Sequence, residues 1–220
     1  MTDMLELHRR LSVLGTPGMC DAFDRRGMKS GYIDGISMFS PREDSFRMVG
    51  PAHTARFVSM DSAEKTRDNL PHFADSAPEG SVIVISAPPD LICANWGGLL
   101  ARRAHMLAAA GTVVDGRVRD LEEIRKIGCA VFARGIAGHG SRRFTRLVAV
   151  GEPITLAGGV VVHQGDIIVG DVNGVVVVPH ENAEEIASFG EILAGQDEKI
   201  LQGIIEGRPM AEVVKQYRPW

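Results

Sequence analysis

Residues 81–133 carry the pattern that most constrains the fold, because short apolar segments alternate there with segments of helical periodicity. Three segments have the length and β-branched composition of buried strands: 81–86, 112–115 and 130–133. Two segments between them have helical spacing: 96–110, which Gly111 ends, and 120–126, which Gly128 ends. This alternation favours parallel strands joined by right-handed crossovers. The sequence therefore predicts an α/β fold whose strands end at one common edge.

The residues before this unit predict less regular structure. In chain order, the expected elements are a helix over 5–14, a second helix from Thr16 to Gly27, a loop over 28–50, a strand over 52–60 and a helix over 68–73. Thr16-Pro17-Gly18 separates the two helices, since Thr16 is suited to cap the second helix and Pro17 to occupy its first turn.

The residues after this unit predict a β-rich second half followed by helices. Short strands split by glycines are expected over 147–150, 154–156, 160–163, 166–170 and 174–178. Such strands are typical of antiparallel sheet. Two helices should follow, over 182–207 and 210–216. No internal repeat or low-complexity linker divides the chain, so residues 1–220 are predicted to form one mixed α/β domain.

Net charge, apolar run length and cysteine content indicate which partners and which cell compartment to expect for this protein. The net charge is -4, and no long basic run is present, so we expect no nucleic-acid partner. The apolar runs are too short to cross a bilayer, and the first residues lack a signal-peptide core, so no membrane association is expected. Three cysteines, Cys20, Cys93 and Cys129, form no CxxC pair and indicate reduced thiols that fill small core spaces in a cytoplasmic protein.

The carboxyl ends of parallel strands are where ligands gather in α/β folds, and two loops are expected there. One loop leads into the turn from Gly97 to Leu100, where a helix begins. Free backbone N–H groups and two glycines without side chains would let this turn cradle a carboxylate, with Gly97, Gly98, Leu99 and Leu100 contributing. A plain loop-to-helix junction with glycines for close packing explains the same residues, and a glycine pair alone does not decide between the two.

The other loop contains Arg119 and Asp120, adjacent at a strand-to-helix turn. Arginine suits a bidentate grip on a carboxylate, and aspartate is a hard oxygen ligand for Mg²⁺ or Mn²⁺. One protein carboxylate suffices when substrate oxygens and waters complete the octahedral shell. The alternative is an aspartate helix cap beside a surface arginine that pairs with Glu122 or Glu123.

Other residues give weaker signals. Seven histidines are dispersed and make no HExxH or other close zinc spacing. His139, in the glycine-rich stretch Gly138-His139-Gly140, is a candidate lining residue. The sequence has no Walker A loop, no GxGxxG after a strand and no GxSxG elbow, so nucleotide-binding and serine-hydrolase motifs are missing.

The run WGGLLARRAHMLAAAGTVVDGRVRDLEEIRKIGCAVFARG resembles the RraA-like family. The likeness extends from about Met19 to Glu185 and includes MVGPAHTARF, DNLPHFADSAPEGSVIVIS and GGVVVHQGDIIVGDVNGVVVVP. The family contains 4-hydroxy-4-methyl-2-oxoglutarate/4-carboxy-4-hydroxy-2-oxoadipate aldolases and the regulator of ribonuclease E activity. Its members were once labelled dimethylmenaquinone methyltransferases, but the sequence offers no glycine-rich loop for a methyl donor.

The resemblance implies a layered α-β-β-α swivelling (phosphohistidine-like) domain with mixed sheets. It implies a homotrimer or homohexamer with sites near subunit interfaces. It also implies that Asp120 holds a divalent cation (Mg²⁺ or Mn²⁺), that Arg119 contacts the substrate, and that backbone amides of Gly97–Leu100 bind a pyruvyl carboxylate. Glu123 and Asp115 are candidates for supporting positions behind these contacts.

One departure from the aldolases bears on the reaction. They carry an acidic residue, twenty residues and then Arg-Asp, whereas this chain has Gly98 at the acidic position and Glu123 three residues after Asp120. We therefore expect a metal-dependent lyase that acts on small 2-oxo acids through a pyruvate enolate, as an aldolase or an oxaloacetate decarboxylase. Glu123 is one helical turn from Arg119 and is a candidate to orient it. The alternatives are a non-catalytic binder of the ribonuclease E inhibitor type, or a hydratase or isomerase that uses the same site.

Overall fold

The structure, a computed structural model, describes residues 4–218. Its centre is the predicted parallel unit, in which β2 (Met48–Ser59), β3 (Val82–Ser86), β5 (Gly111–Val118) and β6 (Val131–Ile136) lie side by side. Three further strands complete this sheet: β1 (Ser37–Ser40), antiparallel to β6; β4 (Ala94–Trp96), parallel to the end of β5; and β7 (Thr145–Val150), antiparallel to β2. The predicted parallel strands are confirmed.

The long strand β2 joins this sheet to a second set of strands. Its first residues pair antiparallel with β10 (Ile167–Asp171), and its later residues pair parallel with β3. β10 forms a hairpin with β11 (Gly174–Val178), as the sequence predicted. A separate hairpin consists of β8 (Ile154–Leu156) and β9 (Val160–Val162). The chain therefore folds into two packed β layers that share one strand.

Helices cover both outer faces of these layers. Helices α2 (Gly98–Met106) and α3 (Leu121–Ile127) pack on the parallel strands through one apolar cluster. Helices α1 (Met4–Arg25) and α4 (Ala183–Ile205) pack on β10 and β11 through another, and α5 (Met210–Tyr217) packs on α4. A third apolar cluster fills the space between the β layers. The predicted α-β-β-α layering with mixed sheets is confirmed.

Three predictions before residue 81 need correction. The two N-terminal helices meet at Gly15, which has φ 66°, rather than at Thr16-Pro17-Gly18. Residues 68–73 form turns and not a helix, and the expected loop 28–50 contains β1 and the start of β2. The strands within 28–50 form because β1 pairs with β6 and the start of β2 pairs with β10, and such tertiary pairing decides the structure of short segments whose own preferences are weak.

Around the candidate site, the predicted boundaries were also wrong in two places. Trp96 belongs to the short strand β4, so α2 begins at Gly98 and ends at Met106 rather than covering 96–110. Gly116 does not turn the chain, because β5 continues to Val118. The later start of α2 and the continuation of β5 both arise from the added pairing of β4 with β5, which extends the sheet toward the site.

The buried carboxylate of Asp171 fastens the N-terminal helix to the second β layer. It accepts hydrogen bonds from Thr16 N (2.8 Å), Thr16 Oγ1 (2.7 Å) and Asn173 N (2.8 Å). The Thr16 side chain thus binds Asp171 instead of capping its own helix, and no room remains beside Gly15 for a side chain. Asp171 has a structural role with its acceptor sites in use.

Two further features of the fold are the length of its apolar helices and the burial of its cysteines. No helix within residues 4–218 is long and apolar enough to cross a membrane. Cys93 is buried, Cys20 and Cys129 are half-buried, and none of the three forms a disulfide in the described part of the chain. Burial raises the pKa of all three thiols, so they favour the protonated form.

Buried histidines are expected to make stability depend on pH. Burial lowers the pKa of His53 below its ordinary 6.5, although its contact with Phe73 O (3.0 Å) opposes this. Burial and nearby His180 also lower the pKa of His8. On acidification the unfolded chain binds these protons first, so stability present above the unfolded pKa is lost below it.

We therefore expect the free energy of unfolding to fall as the pH is lowered from about 7 to about 5. Urea denaturation at several pH values measures this, and a His53→Gln variant should show a shallower dependence. An equal slope in the variant and the wild type would contradict the role given to His53.

Candidate active site

Two turns meet at the carboxyl edge of the parallel sheet. One joins β4 to α2 through Gly97, and the other joins β5 to α3 through Arg119 and Asp120. Arg119 N donates to Trp96 O (3.0 Å), and Gly98 N donates to Asp120 Oδ2 (3.1 Å). The structure thus brings together the two segments that the sequence singled out.

Asp120 has the backbone position of a helix cap but not the function of one. It precedes α3 in the left-handed region, with φ 59° and ψ 37°, and its side chain makes no capping hydrogen bond to that helix. A capping bond contributes about 1 kcal/mol, and a left-handed backbone at a residue other than glycine costs about as much. The carboxylate instead points across to Gly98. Backbone strain of this kind clusters at functional sites.

The Arg119 side chain lies against the same carboxylate. Its Nε is 3.3 Å from Asp120 Oδ2, and its side chain is 44% exposed, which leaves donors available to a ligand. Glycines make room for it: a Cβ at Gly97 would lie 3.2 Å from Arg119 Nε, and one at Gly140 would lie 3.2 Å from its Nη1. The guanidinium is therefore held between two backbone segments.

Glu123 occupies the space that a side chain at position 98 would need. A Cβ built on Gly98 would collide with Glu123 Oε2. No ion pair joins Glu123 to Arg119 within residues 4–218, so the expected orienting contact is not formed. A carboxylate is thus present at this point of the site, although it comes from α3 rather than from the first turn of α2.

At the start of α2, one of the backbone N–H groups predicted to bind an anion is already hydrogen-bonded within the protein. The N–H of Gly98 already donates to Asp120, whereas the first-turn N–H groups of Leu99 and Leu100 have no partner within a helix. The Leu99 side chain is 83% exposed and that of Leu100 is half-buried. The helix terminus therefore offers two donors and its positive dipole end beside Arg119.

An open cavity of about 480 Å³ lies beside Arg119 and Asp120. Arg119, Asp120 and Leu121 line one side, and Ile136, Ala137 and Gly138 line the other. From the sequence, His139 in the stretch Gly138-His139-Gly140 was a candidate lining residue, and the residues of this loop that line the cavity are Ile136, Ala137 and Gly138. The wall is held in place because Ala137 N donates to Val118 O (3.0 Å).

Two other candidates lie apart from this cluster. Asp115 is buried, and its carboxylate is engaged with Arg134 Nε and with Ala157 N (2.6 Å). Those contacts tie β5 to β6 and to the β8–β9 hairpin, so Asp115 supports the sheet. His139 is exposed and its ring contacts Phe144, while its carbonyl accepts from Ala94 N (2.8 Å).

The donor set fits a hard divalent cation that is only partly bound by protein. Within residues 4–218 no three His, Cys, Asp or Glu side chains gather as a metal site, so a closed structural zinc site does not fit. Asp120 is 41% exposed, and among the described residues the hydrogen bond to its carboxylate is the one that Oδ2 accepts from Gly98 N. One carboxylate with an available oxygen, beside an open cavity, is what Mg²⁺ or Mn²⁺ needs when water and substrate complete the shell.

Comparison with known proteins identifies the family of this chain. A family model described as "RraA-like: Aldolase/RraA" matches residues 16–177. The chain belongs to the RraA-like family. The matched residues include both turns of the candidate site, so the RraA-like assignment covers Gly97, Gly98, Arg119, Asp120 and Glu123.

Curated relatives of this RraA-like chain differ in length. A protein of Halalkalibacterium halodurans, provisionally named 4-hydroxy-4-methyl-2-oxoglutarate aldolase, is 32% identical over 77% of this chain and 79% of its own. Protein DlpA of Legionella pneumophila is 29% identical over 99% of this chain, but this chain spans only 35% of DlpA.

Solved structures share the RraA-like fold over most of the chain. An uncharacterized protein from Pseudomonas syringae has a TM-score of 0.80 at 27% identity, covering 95% of this chain and 96% of its own. RraAS2 of Streptomyces coelicolor, described as an unusual member of the RNase ES inhibitor RraA family, has a TM-score of 0.74 at 27% identity, covering 92% and 96%.

The two carboxylates Asp120 and Asp171 should respond differently to removal. Asp120→Gly relieves the left-handed strain and loses one exposed hydrogen bond, so we expect the free energy of unfolding to change by no more than about 1 kcal/mol. Asp171→Ala leaves the buried N–H of Thr16 without an acceptor and should cost about 2 kcal/mol or more.

Denaturant unfolding of both variants measures this difference. A loss of more than about 2 kcal/mol in Asp120→Gly would show that Asp120 stabilises the fold, contrary to this interpretation of its geometry.

Proposed function

We propose that the protein is a divalent-metal-dependent carbon–carbon lyase for small 2-oxo acids, with aldolase or oxaloacetate decarboxylase activity. The observation that carries this proposal is the position of the Asp120 carboxylate. It makes no capping hydrogen bond to α3 and lies between Gly98 N and Arg119 Nε. The provisional aldolase name of the H. halodurans relative supports the same reaction class. Function is argued from this site, because the fold alone hosts regulators as well.

The substrate's carboxylate is assigned to the start of α2. The N–H groups of Leu99 and Leu100 and the positive end of the helix suit an anion, and Gly97 and Gly98 leave the approach open. Arg119 lies at the side of this turn with exposed donors, and it would stabilise the negative charge that develops on the 2-oxo oxygen as the C3–C4 bond breaks.

Asp120 is assigned as the protein ligand of Mg²⁺ or Mn²⁺. When bound there, the cation supplies Lewis-acid stabilisation of the oxyanion of the pyruvate enolate. Asp120 is suited to this role because its strained backbone and its bond to Gly98 N fix the carboxylate before any ligand arrives.

Glu123 is assigned a role in positioning solvent or a proton beside the reacting carbon. Its carboxylate fills the space at Gly98, where the aldolases carry an acidic side chain. A carboxylate at position 123 instead of position 98 gives the site the same charge, but the side chain reaches the site from α3 rather than from α2. We therefore expect retained decarboxylation or aldol cleavage, with an altered preference between them.

The proposed working unit is a homotrimer or homohexamer, and its partner is the small-molecule substrate. A second candidate function is regulatory binding, which the description of RraAS2 as a member of the RNase ES inhibitor family suggests. A regulator would need neither metal nor turnover. Release of pyruvate therefore separates the two candidates.

Pyruvate release from oxaloacetate and from 4-hydroxy-4-methyl-2-oxoglutarate tests the proposal. We expect turnover with Mg²⁺ or Mn²⁺, loss of turnover with chelator, and recovery when the metal is returned. Asp120→Ala should lower kcat/KM about 10³-fold or more, because the cation and its charge stabilisation are lost together. Metal-driven decay of oxaloacetate without enzyme is subtracted.

Wild-type enzyme that releases no pyruvate above this background from either substrate would overturn the lyase proposal. Equal activity in wild type and Asp120→Ala would overturn the assignment of the ligand.

The role of Glu123 is tested by a matched pair of variants. Glu123→Gln removes the charge beside Gly98 and should lower kcat about tenfold or more while leaving KM nearly unchanged. Glu122→Gln removes the same charge from the adjacent position, where the side chain is 84% exposed and pairs with Lys126. Equal kcat values in the two variants would show that Glu123 takes no part.

A further inference from the structure

A second open cavity, of about 440 Å³, lies at the carboxyl edge of the parallel sheet, where β2 ends at Ser59 and β3 ends at Ser86. We call it the β2–β3 cavity. Within residues 4–218 it shares no lining residue with the cavity beside Arg119 and Asp120. This edge of a parallel sheet is where ligands gather, and the volume is within the range of about 300–1,000 Å³ typical of small-molecule sites. The β2–β3 cavity is therefore a candidate site of its own.

A row of polar side chains lines the β2–β3 cavity from the sheet. Arg56 of β2 is in register with Ser86 of β3, and Ser86 is in register with Asp115 of β5. Side chains in register lie on the same face of a sheet. This face is opposite to α2 and α3, because the apolar cluster under those helices contains the residue that precedes each of the three. The β2–β3 cavity thus opens on a different face from the two helices of the candidate active site.

The β8–β9 hairpin closes the other side of the β2–β3 cavity. Ser86 Oγ donates to Thr155 O (2.9 Å), and the Asp115 carboxylate accepts from Ala157 N (2.6 Å). These bonds hold the hairpin against the sheet, so the cavity is formed before a ligand arrives. Between the polar groups the lining is apolar: Phe57, Val58, Ala87, Pro88, Pro89 and Leu156.

Arg56 keeps one side of its guanidinium for a ligand. Its Nη1 donates to Glu64 Oε2 (2.9 Å) and its Nη2 donates to Glu64 Oε1, whereas its Nε has no hydrogen-bond partner in the described part of the chain. The two side chains are 29% and 43% exposed, and an exposed pair of this kind contributes about 0–1 kcal/mol. A ligand that shares Arg56 with Glu64, or displaces Glu64, therefore loses little.

The turn after β2 adds hydrogen-bond donors to the β2–β3 cavity. Ser59 Oγ accepts from Asp61 N (3.3 Å) and Ser62 Oγ accepts from Glu64 N (3.2 Å), but neither hydroxyl donates a hydrogen bond within residues 4–218. Both serines line the cavity, whereas Asp61 is exposed and outside its lining. Since the acceptors Ser86 and Asp115 are already engaged, the available groups are mainly donors. Such a site suits a ligand that accepts hydrogen bonds.

Nearby charges also favour an anion. Arg146 Nε donates to Glu64 O (2.9 Å), and among the described residues no carboxylate pairs with Arg146. Its positive charge therefore adds to that of Arg56 at the same turn. A planar carboxylate can accept two parallel hydrogen bonds from the Nε side of a guanidinium.

We propose that the β2–β3 cavity binds a small carboxylic acid with an apolar body, such as an aromatic acid, at a site separate from the lyase site. The carboxylate lies on Arg56 and the hydroxyls of Ser59 and Ser62, and the apolar body packs on Leu156 and the neighbouring prolines. Burial of the body supplies affinity, and the guanidinium supplies selection for the charge. This inference does not rest on the proposed lyase activity.

Ligand-observed NMR titration of the metal-free protein tests the proposal with three probes at constant ionic strength. Benzoate carries both features, acetate carries the carboxylate without the body, and benzamide carries the body without the charge. Benzoate should bind in the low millimolar range or tighter, and the other two probes should bind about tenfold or more weakly, because each lacks one of the two contacts. Benzoate should also raise the thermal unfolding temperature, since it contacts both the sheet and the hairpin.

Two arginine variants form a matched pair for this titration. Arg56→Gln should weaken benzoate binding about tenfold or more, because the bidentate contact is lost. Arg67→Gln removes an arginine that pairs with Glu152 much as Arg56 pairs with Glu64, but it lies outside the cavity lining. It should leave benzoate affinity unchanged.

Two further variants locate the bound probe. Ser62→Trp fills the β2–β3 cavity without removing Arg56, and it should abolish benzoate binding even if Arg56→Gln fails to fold. Arg119→Gln should bind benzoate as the wild type does, because that arginine belongs to the other cavity. Thermal unfolding of each variant shows whether the fold is retained.

Absence of benzoate binding to the wild type at tens of millimolar would overturn the proposal, as would equal binding of acetate or benzamide. Loss of benzoate binding in Arg119→Gln would assign the probe to the candidate active site and would also overturn it. So would wild-type benzoate affinity in a folded Arg56→Gln or Ser62→Trp variant.

Discussion

Parallel pairing of β5 with its neighbours is the constraint on which the candidate site depends. Because β3, β5 and β6 run in the same direction, their following turns emerge at one edge. The short strand β4 then pairs with the end of β5 and brings the start of α2 to the same place. Hydrogen bonds between the backbone of Arg119 and Trp96, and between Gly98 and Asp120, complete the junction. The candidate site therefore depends on the parallel direction of these strands as well as on the side chains in the two turns.

Three aspartates differ in how far the fold uses their carboxylates. Asp171 and Asp115 are buried and accept hydrogen bonds from several partners, so each is satisfied within the fold. Asp120 is exposed and has a strained backbone. It occupies the N-cap position of α3, but its side chain makes no capping hydrogen bond. A group that contributes little to stability but is fixed in position has the features of a binding residue.

Much of this arrangement follows from the sequence because strand and helix periodicity is strong between residues 81 and 133. The nearness of Gly97–Leu100 to Arg119 could be inferred from that pattern and from the family resemblance. The contact between Glu123 and Gly98 could not, since it depends on the direction of one side chain across two helices. The strand β4 was missed because three residues have too little periodicity to predict, and pairing with β5 decides their structure.

The same limit explains the treatment of Asp115 and Ile136. From sequence, Asp115 was a candidate for a supporting position behind the metal contacts, but β5 continues past it and its carboxylate binds Arg134. Ile136 is the last residue of β6, and the position of that strand in the sheet makes it a wall of the cavity. Predictions from periodicity thus identify elements well, and side-chain contacts between elements require the structure.

The central claim is that Asp120 and the Gly97–Leu100 turn together hold a divalent cation and a 2-oxo acid. Titration with Mn²⁺, with and without oxalate as a stable mimic of pyruvate enolate, tests this most directly. Oxalate should tighten Mn²⁺ binding about tenfold or more in the wild type, because the two ligands share one site, and should have no such effect in Asp120→Asn. Equal Mn²⁺ affinity and equal response to oxalate in both proteins would contradict the account.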